Sequence, residues 1–203
     1  MKRIEWILFL TVMLAVAGFS LPSPVMTPLF LEADGGLLDA GVEKQVRVWW
    51  LAAAFALYPL GQMLGGPWLG QLSDRLGRKK VLTLSLIGVV LGYLVMALAI
   101  EQRWLWLLLL SRFWEGLCNG NVAIAQALAA DISTPERKAH LFSRLNIALN
   151  MGWIVGPLLG GYSAEYGGGY TVPFLLAAVL GLINLFAVGF GLPASTAISP
   201  SLE

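Results

Sequence analysis

The stretch GQLSDRLGRKK, residues 70–80, lies between two long apolar runs and carries much of the information about the fold. WWLAAAFALYPLGQMLGGPWL precedes it at residues 49–69, and VLTLSLIGVVLGYLVMALAI follows at residues 81–100. The short connection holds four basic side chains and one carboxylate. Basic residues between apolar runs are typical of a connection at the cytoplasmic surface of a membrane.

The composition of the whole chain is that of an integral membrane protein. Of its 203 residues, 58% are hydrophobic and only 12% are charged, with a mean hydropathy of +0.75. A soluble domain carries roughly 25% charged residues, and the apolar runs here approach the ~20 residues that cross a bilayer. The sequence therefore predicts an all-α, multi-pass membrane protein, embedded in the lipid bilayer. The net charge of +1, with basic residues at the ends of apolar runs, gives no reason to expect a nucleic-acid partner.

Six apolar runs predict six transmembrane helices, joined by short connections apart from residues 32–47. Their predicted bounds are Trp6–Leu31, Val48–Leu69, Val81–Ile100, Trp104–Ala130, Leu141–Ser163 and Tyr170–Leu192. These spans form one unit, residues 1–192. The polar segment 193–203 is interpreted as a cytoplasmic tail or the start of a linker.

Lysine and arginine are distributed unequally between the two sides of the predicted bundle. Nine of the 13 lie at the N-terminus or in the even connections, namely Lys2, Arg3, Arg75, Arg78, Lys79, Lys80, Arg137, Lys138 and Arg144. Three lie on the other side, Lys44, Arg47 and Arg103, and the last, Arg112, lies inside a span. Because basic residues accumulate on the cytoplasmic side, we expect both termini in the cytoplasm.

The N-terminal run has a second interpretation. Lys2, Arg3 and the small residues 15–17 resemble a signal peptide with its cleavage site. The apolar run continues to Leu31, which is too long for such a peptide and favours a retained span. Prolines are then expected to kink or break this span where it can line a cavity; they are Pro22, Pro24 and Pro28.

The connection 70–80 contains more than basic anchors. Anchoring explains residues 78–80 but not the spacing of the two glycines and the aspartate. We expect Gly70 to allow close approach of a helix. We expect Asp74 to accept hydrogen bonds from the free N–H groups at the start of the next helix. We expect Gly77 to form a tight turn that a Cβ would obstruct.

Four motifs, in the order of the predicted spans, resemble the major facilitator superfamily. They are G-x-L-x-D-R-x-G-R-K at residues 70–79, R-x-x-x-G at 112–116, Asp131-Ile132 followed by Pro135 and Arg137, and GWIVGPLLGG at 152–161. The pattern is most similar to bacterial multidrug and tetracycline–proton antiporters, the drug–proton antiporter branch. The resemblance covers essentially this whole chain but only the N-terminal half of such a transporter, which has about twelve spans in two halves.

The resemblance also implies a role for the charged connection, which we name the charge latch. Its expected members are Gly70, Asp74, Arg75, Gly77, Arg78, Asp131 and Arg137. Asp74 is expected to contact Arg78 and a helix end of the other half, and Arg78 also to meet Asp131. The charge latch would hold the outward-facing state and break during switching.

Two helix faces rich in glycine carry the next expectation. One lies on the second span, with Gly61 and Gly65 and beside them Gly66 and Gly70. The other lies on the fifth, where the antiporter motif comprises Gly152, Gly156, Pro157, Gly160 and Gly161. Such spacing lets helix backbones approach closely, and Pro157 is expected to bend its helix. Ordinary helix packing explains the same spacing. In the resembled fold these spans face the opposite half, so we expect both glycine faces to point to a missing partner surface.

The fourth span carries a polar stripe at helical spacing, made of Arg112, Glu115, Asn119 and Gln126. Ionisable residues at membrane depth are costly unless they are paired or hydrated, and an i,i+3 pair allows mutual neutralisation. The stripe is therefore a predicted proton and substrate pathway, in which Glu115 binds a proton and Arg112 adjusts its affinity. A pair that only holds helices together is the alternative. The resemblance links Arg112 to proton transfer but assigns no role to Glu115.

The leading functional hypothesis is a proton-coupled exporter of drug-like or metabolite-like small molecules, acting by alternating access in a twelve-span assembly. Its second half would be another copy or a separately encoded chain, and its location the bacterial inner membrane. The alternatives are a non-transporting half-transporter subunit or truncated remnant, and an importer or uniporter of the same superfamily. The first span lacks the embedded acid of tetracycline exporters, which argues against tetracycline itself. No enzyme activity or cofactor is expected, because a G-x-x-x-x-G-K-[ST] loop and a His/Cys cluster are absent from the sequence.

Overall fold

The computed structural model describes residues 2–32 and 36–192 and places eight α-helices there. They are α1 (Lys2–Ser20), α2 (Ser23–Leu31), α3 (Lys44–Leu76), α4 (Arg78–Glu101), α5 (Leu105–Cys118), α6 (Asn121–Ile132), α7 (Pro135–Tyr166) and α8 (Val172–Gly191). The predicted all-α architecture is confirmed. The predicted tail, residues 193–203, lies outside the described residues.

Four helical stretches are long and apolar enough to cross a membrane, by length and composition: Arg3–Leu31, Lys44–Leu76, Arg78–Glu101 and Val172–Gly191. The remaining two members of the six-helix bundle are the 32-residue α7 and the broken pair α5–α6. α5 and α6 are 14 and 12 residues long, so each is too short to cross a membrane by itself. α7 is long enough, but polar side chains such as Asn146 and Asn150 lower its mean hydropathy.

The first predicted span is divided into α1 and α2 beside its prolines. Pro22 has no backbone N–H to donate, so the hydrogen-bond ladder of α1 is interrupted there. Pro22 is the N-cap of α2, and Ser23 Oγ donates to the carbonyl oxygen of Ser20 at 2.7 Å. This is the break that the sequence predicted for a retained span.

The fourth predicted span is divided as well, and here the expectation of one continuous helix is wrong. Asn119 and Gly120 separate α5 from α6. A Cβ on Gly120 would lie 2.7 Å from the Leu69 side chain, so the break packs tightly against α3. Ser85 Oγ donates to the carbonyl oxygen of Cys118 at 2.5 Å, which satisfies an acceptor that the break releases.

The helices pack most extensively in the pairs α3–α5, α1–α7 and α4–α8. Buried apolar side chains form two clusters, one near each end of the bundle, with Phe30, Tyr93 and Phe174 in one and Leu82 and Leu145 in the other. Large apolar side chains also cover the outside; they include Trp68, Leu158 and Phe190. An apolar exterior is expected where lipid replaces water as the solvent.

Close packing inside the bundle fills the glycine face of α3. A Cβ on Gly65 would abut the carbonyl oxygen of Leu117 and lie 2.7 Å from its carbonyl carbon, and one on Gly61 would lie 2.9 Å from Leu117 N. Gly116 of α5 faces back toward Tyr58 and Gln62 in the same crossing. These glycines therefore let α3 and α5 approach within van der Waals contact of each other's backbone.

The glycine face of α7 is filled in the same way, by α1 and the residue that follows it. A Cβ on Gly152 would lie 2.7 Å from Val16 Cβ, and one on Gly156 would lie 2.6 Å from the carbonyl oxygen of Ala17. Gly160 abuts the Leu21 backbone. The expectation that these faces point to a missing half is wrong for the five glycines whose partners lie within the same six-helix unit, namely Gly61, Gly65, Gly152, Gly156 and Gly160.

Candidate functional site

A recess of about 430 Å³ opens between α1, α3, α7 and the break that joins α5 to α6. Its wall combines aromatic side chains with a few polar groups. The aromatic residues are Phe19, Phe55, Tyr58 and Trp153, and the polar ones are Gln62, Arg112 and Asn119. A mostly apolar cavity with few polar groups is typical of a small-molecule site.

Arg112 and Glu115 form a buried ion pair beside this recess. Arg112 Nη1 lies 2.9 Å from Glu115 Oε2, and their side chains are 4% and 0% exposed. Arg112 Nε also donates to the carbonyl oxygen of Ala54 at 3.4 Å, and its guanidinium lies 5.1 Å from the centre of the Tyr58 ring. The pairing offsets part of the large cost of removing two charges from water.

The two members of the pair have different access to the recess. Arg112 lines it, whereas Glu115 lies behind Arg112 and does not. Glu115 Oε1 has no hydrogen-bond partner among the described residues, and neither has the buried hydroxyl of Tyr93. A molecule in the recess therefore meets the guanidinium first, and the carboxylate acts on it through Arg112.

Polar side chains at the helix break extend the site. Asn119 Nδ2 donates to the Tyr58 hydroxyl at 2.5 Å, and Gln62 Nε2 donates to the Asn119 carbonyl oxygen at 3.4 Å. Phe19 stacks on Tyr58 with 4.3 Å between ring centres. Tyr58 was not among the site residues predicted from the sequence, although its i,i+4 spacing from Gln62 on a predicted helix was an available signal.

Gln126 does not join the other three residues of the predicted polar stripe. It lies in α6, beyond the break, and it is not part of the wall of the recess. The helical spacing that predicted a common face assumed a continuous helix through Asn119 and Gly120. The structure thus brings together Arg112, Glu115 and Asn119 only.

Two acidic residues of the charge latch, Asp74 and Asp131, contact Arg78 near the C-terminal end of α3. Arg78 Nη1 lies 2.6 Å from Asp74 Oδ1, and Nε lies 3.0 Å from Asp131 Oδ2. Arg78 Nη1 also donates to Ser73 Oγ at 2.7 Å. Gly77, the residue between α3 and α4, has φ of +94°, a conformation that favours glycine. One guanidinium therefore joins α3, α4 and α6.

Other expected members of the charge latch occupy different positions. Asp74 lies in the last turn of α3, and no described side chain caps α4, so the expected hydrogen bonds from Asp74 to the start of α4 are wrong. A Cβ added to Gly70 would have open space within 4 Å, so no helix among the described residues approaches it closely. Arg75 and Arg137 take part in none of the ion pairs between described residues.

A contact that the sequence did not predict lies beside the charge latch. Lys79 Nζ donates to the carbonyl oxygen of Leu192 at 2.5 Å. Leu192 directly follows α8, and a cation near the last carbonyls of a helix is electrostatically favourable. Lys79 therefore joins the start of α4 to the end of α8.

The antiporter-motif residues lie on two sides of α7. Gly152, Gly156 and Gly160 face α1, and Ser20 Oγ donates to Gly152 O at 3.1 Å. Gly161 has open space around it and lines a separate hollow at the α2 end of the bundle. Pro157 lies inside α7 between these glycines.

These features define a class, a helical membrane bundle with a polar recess at membrane depth. The chain matches the Major Facilitator Superfamily over residues 8–201, and it belongs to that family. It is therefore a multi-pass membrane protein of a transporter family rather than an enzyme. The predicted fold, one six-helix half of this superfamily, is confirmed.

Relatives of the chain include named resistance proteins. It is 38% identical over 135 residues to the class B tetracycline resistance protein of Escherichia coli, covering 66% of this chain and 32% of that protein. It is 33% identical over 184 residues to the quinolone resistance protein NorA of Staphylococcus aureus, covering 90% and 43%. The crystal structure of the human organic anion transporter MFSD10 superposes with a TM-score of 0.78 at 26% identity, covering 95% and 47%. The chain thus spans less than half the length of each of these proteins.

Proposed function

We propose that this chain is one half of a proton-coupled exporter of small, drug-like molecules that works by alternating access. The observation that carries the proposal is the buried Arg112–Glu115 pair, in which Arg112 lines the recess. The resemblance to tetracycline and quinolone resistance proteins supports export of drug-like compounds. The other half, needed to enclose a central cavity, comes from another six-helix unit, either a second copy or a different sequence.

The pair provides a physical route from proton binding to substrate release. While Glu115 is ionised, it balances the charge of Arg112, and the aromatic recess can hold a neutral or cationic molecule. When Glu115 binds a proton, the Arg112 charge beside the recess is no longer balanced. A cationic substrate is then repelled at close range in a medium of low dielectric constant. A proton and a cationic substrate therefore compete, which is the requirement for exchange in opposite directions.

The charge latch supplies the second element of this mechanism. Arg78 ties α3, α4 and α6 together at the end of the bundle where basic residues accumulate, which we assign to the cytoplasm. We propose that these contacts stabilise the state in which the cytoplasmic side is closed. With this orientation both chain termini are cytoplasmic.

The test compares Glu115→Gln with Glu165→Gln in the intact assembly, purified from membranes and reconstituted, after mass spectrometry has identified every chain. Glutamine keeps the shape of Glu115 but cannot exchange a proton. We expect transport driven by a pH gradient to be lost in Glu115→Gln, and binding of a cationic substrate to be weakened at every pH, while exchange of a neutral substrate without a gradient continues. The exposed Glu165 serves as the control, and its variant should keep both activities. Full dependence on the pH gradient in Glu115→Gln would reject the assignment.

A further inference from the structure

A second cavity, of about 400 Å³, lies at the end of the bundle that holds the charge latch. It is bounded by the start of α1, the connection from α6 to α7, and the first turns of α7. Arg137, His140 and Arg144 contribute to its wall, together with Glu5. The recess does not use this cavity, and Arg137, although an expected member of the charge latch, takes part in none of the ion pairs on which the proposed mechanism depends.

The charges on the wall are unbalanced. Arg137, His140 and Arg144 are spaced by three and four residues, so they lie on one face of α7. Arg144 Nη1 lies 3.0 Å from Glu5 Oε2, which offsets one positive charge. Arg137 belongs to no ion pair within residues 2–32 and 36–192, so the cavity keeps a net positive charge.

An apolar cleft of about 170 Å³ continues from this cavity. The two share Glu5, Trp6 and Arg144, and the cleft adds Phe9. Phe9 lies about one turn further along α1 from its start, toward the membrane interior. Trp6 is 62% exposed and meets Phe9 edge to face, with 5.6 Å between ring centres. A tryptophan at this level is typical of the membrane interface.

We infer that this cavity and cleft together bind an anionic phospholipid. The phosphate group would lie against Arg137 and Arg144, and the start of one acyl chain would lie along Trp6 and Phe9. Basic pockets between helices at the membrane surface favour anionic head groups. Free phosphate would occupy only the basic cavity and would leave the apolar cleft empty. A lipid, which has both a phosphate group and an acyl chain, fits the cavity and the cleft together.

The experiment is native mass spectrometry of the intact protein, titrated with phosphatidylglycerol or with phosphatidylcholine carrying the same acyl chains. We expect phosphatidylglycerol to bind more tightly. Arg137→Gln should weaken its binding about fivefold, the effect of one basic residue near a lipid surface. Arg137→Lys keeps the charge and should restore most of the binding. Lys138→Gln removes the same charge from the exposed neighbouring residue outside the cavity and should change little.

Two further variants should change the affinity for phosphatidylglycerol in opposite directions. Glu5→Gln frees Arg144 from its carboxylate partner and should tighten phosphatidylglycerol binding, whereas a purely structural role of Glu5 would not. Phe9→Ala should weaken it, because the acyl chain loses a contact. Equal binding by the Arg137→Gln and Lys138→Gln variants would overturn the inference. So would equal binding of the two lipids, or displacement of phosphatidylglycerol by an equal concentration of inorganic phosphate.

Discussion

Arg78 Nε lies 3.0 Å from Asp131 Oδ2, a contact that joins the first turn of α4 to the last turn of α6. The two side chains are 17% and 19% exposed, so water reaches both. An ion pair with this much access to solvent contributes about 0–1 kcal/mol to stability. A free energy of that size is too small to hold the fold together, but it is enough to bias two conformations of similar energy.

The first prediction follows from this relationship. Asp131→Asn should leave the melting temperature nearly unchanged but make the recess more accessible from the side of the bundle that holds the charge latch. The measurement is the labelling rate of a single cysteine placed at Val122, after replacement of Cys118 by serine. Lys80→Gln, an exposed basic residue nearby, is the control for loss of charge. Identical labelling rates in the Asp131→Asn and unmodified proteins would show that the contact is a surface ion pair with no effect on conformation.

The second prediction tests the corrected partner of the α7 glycine face. Gly156→Ala should destabilise the protein by about 1–3 kcal/mol, because the added methyl group would lie 2.6 Å from the carbonyl oxygen of Ala17. Gly161→Ala, in the same helix, has open space and should be neutral or slightly stabilising. Thermal unfolding in one detergent compares the two. Equal destabilisation would mean that helix propensity, not the contact with α1, decides the effect.

Sequence periodicity and charge were sufficient to predict the helical fold, because apolar runs of membrane length and basic connections are strong local signals. The break before α2 was also predictable, since Pro22 removes a backbone donor. The break at Asn119–Gly120 was not, because neither residue forbids a helix. It depends on contacts with Leu69 and Ser85, which are distant in the sequence.

In the candidate site, too, some features could be predicted from the sequence, whereas others depend on contacts between distant residues. The i,i+3 spacing of Arg112 and Glu115 was enough to suggest a pair, but not which of the two faces the recess. Tyr58 belongs to the site only because α3 crosses α5 closely at Gly61 and Gly116. The glycine spacing itself was visible in the sequence, yet it does not identify the partner helix, so the expected partner was wrong.

The third prediction concerns the energetics of the buried pair. Arg112→Met alone leaves Glu115 buried without its partner and should lower stability by about 3–5 kcal/mol at neutral pH. Combining it with Glu115→Leu removes the isolated charge, so much of the loss should be recovered. A double-mutant cycle from unfolding in mixed micelles measures the coupling. Additive effects of the two substitutions would contradict a direct interaction.

The fourth prediction concerns Arg47, which in the sequence is recognisable only as a basic residue on the outer side. It is 3% exposed, and it donates to five carbonyl oxygens near the end of α2 and in the following connection; these include Glu32 O at 2.8 Å and Val42 O at 3.0 Å. Arg47→Met should destabilise the protein by about 1–3 kcal/mol, because these acceptors lose their donor. Lys44→Gln, exposed one turn away, should have little effect on the melting temperature. A melting temperature of Arg47→Met equal to that of Lys44→Gln would exclude the proposed contacts.

The fifth prediction concerns how stability depends on pH through the ionisation of Tyr170, at the end of the bundle away from the charge latch. A hydrogen bond from the Tyr170 hydroxyl to Glu32 Oε2, with smaller contributions from burial and from the Glu32 charge, raises the pKa of Tyr170 to about 12. In the unfolded chain this hydroxyl has a pKa near 10. The neutral form is therefore favoured by folding, so its contribution is complete below pH 10 and is lost as the pH rises toward 12.

The measurement for Tyr170 is ultraviolet titration of the folded protein, followed by difference spectra against Tyr170→Phe. The tyrosinate signal that this variant removes should have its midpoint well above pH 10. Glu32→Gln withdraws the charged acceptor and should move that midpoint down toward 10. Stability measured between pH 10 and pH 12 should fall less steeply in Tyr170→Phe than in the unmodified protein. A midpoint that is unchanged by Glu32→Gln would show that this hydrogen bond does not control the ionisation.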